Sequence, residues 1–549
     1  MIYDVCIIGS GAGASPVAYE LSRAGFSIVV LEKGKFYKEE DFSKDELAIS
    51  RRKMFAPNLK DEYHIVIEKE PNGEVSRYNG TWSFWNGSLV GGSSNLMSGF
   101  FHRLKPNDFK LKSVYGEIEG ANVADWPISY DELEPYYAKV EKVVGVSGKV
   151  VKHKFSEPRS TAEFPYEKLE ENAAAKWFDK AAIELGLTPL PTPRAILSKN
   201  DLGRNACYYS HFCGAYPCAS GAKGSGRVFL QQCPAKVIPE AFVYKLVSDK
   251  FSVKEALYYD KFKKSHSIKA KIFVVAAGAV ETSRLLLNSK NRHFANGLAN
   301  NSGNVGKNLI FSAGGVGSGT FYLKDLSQKD AADLMSRGLF FNRHIQEWYE
   351  FKKDGKRYKG GIIDFLFEHP NVIPNVTAQF YENGNLIFGD KLMKKIKNNV
   401  YASRKLTFEV FNDWLPTNTT FVSVSDTHRD KYGIPVGVIS LDAHKQDLEV
   451  GEFLSKKAVE ILKQMGAKDV NYSVSGSPPP NLVAGGARFG DDPKTSVLDK
   501  NCKTHEINNL YVSDASFMPT GGSVPYTWTI YANSFRVSDI IKKRLSNLV

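Results

Sequence analysis

"YDVCIIGSGAGASPVAYELSRAGFSIVVLEKG", residues 3–34, decides the fold. Residues 3–8 form an apolar run that stops at Gly9, the pattern of a strand buried on both faces. Val17, Leu21 and Ala24 then recur at helical spacing. Pro16 falls in the first turn, where its missing N–H costs little, and Gly25 ends the helix. A second apolar run, 26–31, follows. Between the first strand and the helix, "GSGAGA" (9–14) fits G-x-G-x-x-A. Gly9 permits the tight turn, Gly11 lets the backbone approach a pyrophosphate at the helix N-terminus, and Ala14 lets helix and strand pack closely. Glu32 ends the second strand, where a carboxylate can bind a ribose hydroxyl. The stretch predicts a βαβ unit that binds a dinucleotide, without separating NAD from FAD.

Further pieces of the same kind lie far along the chain. "KIFVVAAGAVETSRLLL" (271–287) reads as strand, small-residue turn and helix. "NLYVSDASFMPTGG" (509–522), followed by "TWTIYANSFRVSDIIKKRL" (527–545), reads the same way. "WNGSLVGGSSNLMSGFF" (85–101) is rich in Gly and Ser and reads as a loop that approaches a ligand closely. "WPISYDELEPYYAKVEKVVGV" (126–146) predicts a helix with Leu133, Tyr136, Tyr137, Val140 and Val144 on one side. Residues 35–80 read as charged and irregular. From about 310 to 475 the pattern alternates, as in "VTAQFYENGNLIFG" and "RKLTFEVFNDW", and predicts antiparallel sheet. The expected architecture is an α/β, Rossmann-like FAD- or NAD-binding domain made of 1–309 and 476–549, with a β-rich substrate domain, 310–475, inserted.

The 549 residues, 42% hydrophobic and 24% charged, suit a globular chain of two or more domains. No run of 18 apolar residues occurs, so no membrane-spanning helix and no integral membrane protein is expected. The N-terminus lacks the features of a secretory signal. The formal net charge of +12 reads as a lysine-rich surface. No basic run interleaves with aromatics, and no nucleic-acid partner is expected.

Six segments, taken in order, resemble the glucose–methanol–choline (GMC) flavin oxidoreductases: "GGSSNLMSGFFHRLKPNDF", "VADWPISYDELEPYYAKVEKVVGVSG", "VVAAGAVETSRLLL", "GNVGKNL", "GGARFGDDPKTSVLDKN" and "NLYVSDASFMPTGGSVPYTWTI". Within that family the "ADWPISY" helix and the cysteine segment resemble the large flavoprotein subunits of gluconate, fructose and glucose dehydrogenases. The resemblance implies FAD. It implies Gly9, Gly11 and Ala14 at the pyrophosphate and Glu32 at the adenosine ribose. Gly91, Gly92 and Ser93 would lie along the pyrophosphate and ribityl chain, and Val243 against adenine. Ala277 and Gly278 would pass close to the cofactor, and Asp514 would sit by the pyrophosphate and ribityl.

"CYYSHFCGAYPC" (207–218) holds half of the chain's six cysteines. In some dehydrogenases of this subgroup three thiolates before "GAK" bind a [3Fe–4S] cluster, and Cys207, Cys213 and Cys218 match those positions. Ser210 stands where gluconate-type relatives often carry another cysteine, which suits three irons rather than four. The residues alone leave open a disulfide between two of the three, a zinc site completed by His211, and plain buried thiols. Cys6, Cys233 and Cys502 read as structural thiols.

The resemblance breaks at the reacting centre. GMC alcohol oxidisers usually carry a His, with a partner His or Asn, over the flavin. Here "NLVAGGARFG" has Leu482 in the first place, and "GGSVPYT" has Val524 in the second. Ordinary alcohol oxidation therefore lacks its usual base. Asn481 and Tyr526, which neighbour the two positions, are candidate catalytic residues, with His102 and His211 as further options. The leading expectation is a dehydrogenase acting on CH–OH groups of a sugar, sugar acid or polyol, passing electrons through the cluster to a partner. The alternative is a GMC-like flavoprotein serving another reaction, electron transfer or assembly. The resemblance implies a small signal-bearing subunit or a cytochrome as partner, and a location either cytoplasmic or periplasmic by export with that partner.

Overall fold

The structure, a computed structural model, describes residues 2–43, 45–47, 54–56, 60–69, 73–80, 87–336, 340–367, 372–476 and 482–547. Strand β1 (Ile2–Ile8), helix α1 (Ser15–Arg23) and strand β2 (Ile28–Leu31) form the βαβ unit read from the sequence. Both strands are buried because both faces are covered, and the two pair in parallel. Gly25, at φ +91°, takes the left-handed conformation that ends α1. In a seven-stranded sheet β1 also pairs in parallel with Ser265–Val275, which in turn pairs with Leu510–Val512. The chain thus returns once to the edge of its first strand and once more to the strand beside it, and the three sequence-distant pieces share one core.

A second sheet of six strands runs in the order Lys468–Ser473, Gly315–Tyr322, Ser403–Asn412, Gly361–Phe367, Arg343–Ile345, Leu190–Pro191, antiparallel throughout. One face packs on helix Lys445–Gln464: Leu406, Phe408, Val410, Ile363 and Phe365 meet Val450, Leu454, Ala458 and Ile461. The opposite face turns toward the first sheet. A third, four-stranded sheet pairs Phe421–Arg429 and Pro435–Asp442 with His64–Lys69 and Val75–Gly80.

The structure departs from the sequence reading in two places. The stretch 35–80 is not all irregular, since it supplies the His64–Lys69 and Val75–Gly80 strands. Its charged side chains hide a pattern completed only by pairing with distant Pro435–Asp442. "VTAQFYENGNLIFG" (376–389) is antiparallel only in part: it begins in the helical turns Val372–Thr377 and Ala378–Phe380, and only Tyr381–Glu382 and Asn385–Leu386 pair, as a short hairpin. The helix of 126–146 forms as Tyr130–Val140. Ser129 and Glu132 cap it reciprocally, and Leu133, Tyr137 and Val140 are buried beneath it.

Candidate active site

A cavity of about 530 Å³ runs from the GSGAGA turn to the cavity-facing side of the six-stranded sheet. Its first end is built by α1, β2 and their neighbours. Gly9 and Gly11 line it, while Ala14 lies behind the wall at the buried start of α1. Glu32 is buried there. It accepts the Ser10 hydroxyl and, at 2.7 Å, the Gly34 N–H. Burial pushes the Glu32 carboxyl up, against the lowering by those donors. Ser10 in turn accepts the Gly91 N–H at 2.9 Å, which ties the Gly-rich loop to the first turn. Gly92 and Ser93 line the cavity, whereas Gly91, at φ +92°, is buried behind it. Trp85 and Asn86 of that loop lie outside the described residues.

Val243, Ala277, Gly278 and Asp514 complete this end. Asp514 accepts the Gly278 N–H at 2.8 Å, the Thr282 hydroxyl at 2.5 Å and the Ser516 N–H at 2.9 Å. It thereby ties the start of helix Ala279–Asn288 to the final βα turn. A Cβ on Gly13 would stand 2.5 Å from the Asp514 Cα, so that glycine is required by the crossing of two backbones.

The other end is lined by Phe100, Leu366, Glu409, Phe411, Leu482 and Tyr526. Leu482 borders the cavity, but Val524 turns into the core, 1% exposed. Tyr526 lines the cavity and is 1% exposed. Burial and then Asp413 push its phenol well above the ordinary value, so it holds its proton at neutral pH. Asn481 lies outside the described residues. His102 is buried away from the cavity, its Nε2 donating to Asp364 at 2.9 Å. His211 sits in the cysteine loop. Glu409 was not singled out from the sequence. Strand alternation in "RKLTFEVFNDW" puts it opposite Leu406, Phe408 and Val410, but alternation does not tell a cavity from solvent.

The cysteine loop abuts this cavity. Gly214 and Ala215 line it, and Cys207, Cys213 and Cys218 line an adjoining cavity of about 20 Å³. All three are free thiols. Lys223 is buried within the loop and donates to the carbonyls of Met97 (2.8 Å), Cys213 (2.9 Å) and Tyr216 (2.7 Å). Burial raises the Cys207 and Cys213 thiols to about 12 and about 11. Burial would raise Cys218 also, but Lys223 and hydrogen bonds bring it below the ordinary value. Among the described residues one set of ligand atoms closes to within 4.8 Å in the manner of a single-ion site. It is His102, His344 and Asp364, not the cysteines.

Family comparison settles the class. Models of the GMC oxidoreductase family match residues 8–312 and 416–534. The chain belongs to the GMC oxidoreductases. It is therefore an FAD enzyme, and its relatives include dehydrogenases and oxidases. The large subunit of fructose dehydrogenase from Gluconobacter japonicus is 28% identical over 98% of this chain and 97% of its own length. The 2-methyl-1,2-propanediol dehydrogenase of Mycolicibacterium austroafricanum is 28% identical over 100% of this chain and 96% of its own. Among solved structures, a formate oxidase superposes with TM-score 0.64 at 15% identity, covering 100% of this chain and 99% of that one, which shows the fold. No described helix of this GMC oxidoreductase is long and apolar enough to cross a membrane.

Proposed function

We propose that this GMC oxidoreductase is a dehydrogenase that oxidises a CH–OH group of a sugar, sugar acid or polyol. The electrons leave through an iron–sulfur cluster on Cys207, Cys213 and Cys218 to a partner protein. One observation carries the reading: the cysteine loop forms part of the cofactor cavity's wall, through Gly214 and Ala215. A two-electron cofactor beside three thiols has a one-electron exit within reach.

The residues fit both groups. Gly9 and Gly11, at the N-terminus of α1, leave backbone facing the place of a pyrophosphate, and no side chain caps that helix. Glu32 would hold the adenosine ribose, Val243 the adenine, and Gly92, Ser93 and Asp514 the ribityl side. When bound, the flavin supplies the hydride acceptor. Leu366, Phe411, Leu482 and the Tyr526 ring would keep water from the reacting carbon. For the cluster, three free thiols share one small cavity, and Lys223 favours the thiolate at Cys218. That a relative is named a large subunit supports a partner that receives the electrons.

The test is metal and flavin analysis of protein purified without oxygen. A three-thiolate [3Fe–4S] centre predicts about three irons per chain. Cys207→Ser with Cys213→Ser and Cys218→Ser should remove the iron and leave FAD in place. Full FAD without iron, together with a disulfide between two of these cysteines, would rule the electron exit out.

A further inference from the structure

Glu409 lies on Ser403–Asn412, on the face that borders the cavity. The same face carries a row of titratable residues. Glu409 pairs directly with Asp364 on the neighbouring strand, and Asp364 with His344 on the next. Directly opposed side chains share a face with Cβ atoms about 5 Å apart. On its other side Glu409 pairs with Val316, which is apolar.

The neighbours of Glu409 have other partners. Asp364 accepts from His102 Nε2 at 2.9 Å and from the Thr192 hydroxyl at 2.9 Å, and that hydroxyl lies 3.2 Å from His344 Nδ1. Burial, then His102, drives the His344 imidazolium well below its ordinary range, so His344 adds no positive charge. Arg194 donates to Asn342 Oδ1 at 2.8 Å and to the Ser98 carbonyl at 3.0 Å, and stacks 3.9 Å over the Phe100 ring. The Glu409 carboxyl interacts with Asp364 and Arg194 through charge alone and makes no hydrogen bond among the described residues. Glu409 is half-buried and lines the cavity, so its carboxyl, free of hydrogen bonds among the described residues, is available to a molecule bound there.

We propose that Glu409 is the catalytic base of this site, in place of the histidine that Leu482 displaces. This rests on the reading that the substrate presents a CH–OH group. The carboxylate accepts the hydroxyl proton as the carbon gives its hydride, with two electrons, to the flavin. The alcohol leaves as the carbonyl compound, Glu409 is left as the acid, and the proton later returns to solvent. Burial, then the facing Asp364, push the Glu409 carboxyl up to about 7, against the opposing charge of Arg194. A base poised there is half ionised at neutral pH, where proton transfer is most effective. The ionised form is the active one, so reduction of the flavin quickens as pH rises through about 7 and levels off above it.

The test uses holoprotein of the unmodified chain, Glu409→Gln and Glu409→Asp, matched for FAD content. Flavin reduction by a CH–OH compound is followed without oxygen across the pH range. Glu409→Gln should slow it by about 10²–10⁴-fold and abolish the rise with pH, and Glu409→Asp should keep a pH-dependent limb. Reduction by dithionite should be the same in all three. An independent readout is the infrared carboxyl stretch: the unmodified protein should show a carboxyl titrating near 7 that is absent from Glu409→Gln. If a CH–OH compound reduces the unmodified protein and Glu409→Gln reacts as fast with the same pH limb, the base assignment falls alone. If the infrared band shows Glu409 ionised well below neutrality, it falls as well. If no CH–OH compound reduces the unmodified flavin although dithionite does, the functional reading and the base assignment fall together.

Discussion

A Cβ on Gly11 would come no nearer than 3.8 Å to the Gly92 Cα, an ordinary contact, whereas one on Gly9 would stand 2.2 Å from the Ala276 carbonyl oxygen. Gly9 is also held at φ +96°, where a side chain is strained. Gly9 and Gly13 therefore answer to the protein's own backbone, and Gly11 to whatever lies in the cavity. We predict that Gly11→Val is isolated without flavin, since its side chain enters the phosphate approach, and unfolds near the midpoint of the flavin-free unmodified protein. Full flavin absorbance in that variant would contradict the placement. The place of Gly11 at the cavity wall is legible in the sequence because its spacing from a strand, a helix and Glu32 puts it in the turn between them. Ser10 is not, because nothing in its neighbours says that its hydroxyl links Glu32 to the Gly-rich loop. Glu409 is half legible: period two fixes its face, and only the third dimension shows what that face meets.

The cysteine loop is an element without regular structure, ordered from inside by one lysine. Tyr209, His211 and Ala215 all take left-handed backbone, at φ 55°, 74° and 70°, unusual for residues with a Cβ. Lys223 holds that path through its three carbonyl acceptors, and each buried carbonyl left unpaired costs about 1–3 kcal/mol. Lys223→Met should therefore lower the thermal midpoint and reduce iron content while leaving FAD content unchanged. Iron and midpoint both unaltered would show that the loop is shaped by other contacts. The sequence marks this loop by its sulfurs and marks Lys223 as the end of the "GAK" that follows them, but does not say that its ammonium folds back onto the loop's carbonyls. At the scale of strands, alternation reveals Ser403–Asn412 because its own residues alternate between the buried Leu406, Phe408 and Val410 and the opposite face. The His64–Lys69 strand escaped notice because its parallel partner lies in the distant Pro435–Asp442 segment.

Across the whole molecule a buried charge cluster joins distant parts of the chain behind the Tyr526 end of the cavity. Lys359 Nζ meets Asp108 at 2.9 Å and Asp413 at 2.5 Å. Tyr349 donates to Asp108 at 2.6 Å and to the Gly522 carbonyl at 3.0 Å, and the Ser523 N–H donates to Asp413 at 3.0 Å. The six-stranded sheet is thereby fastened to the turn that precedes Tyr526. Removing the only cation of this group leaves two buried carboxylates facing each other, a loss of about 3–5 kcal/mol. Lys359→Met should unfold at a clearly lower temperature, and adding Asp108→Asn and Asp413→Asn should recover part of the loss. Unchanged stability in Lys359→Met would show that the cluster does not fasten the sheet to the turn before Tyr526. The general GMC architecture is legible from six ordered segments, three of which, 91–109, 274–287 and 509–530, reach the cavity, whereas Glu409 is not, since it comes from a strand whose register the sequence does not state. The account as a whole turns on whether the cavity oxidises a hydroxyl group. Its most direct test is anaerobic mixing of the flavin-loaded protein with sugars, sugar acids, polyols and alcohols while the flavin absorbance is followed. The account predicts that at least one such compound bleaches the flavin, faster as pH rises through about 7. A flavin that dithionite bleaches fully and no CH–OH compound touches would contradict it.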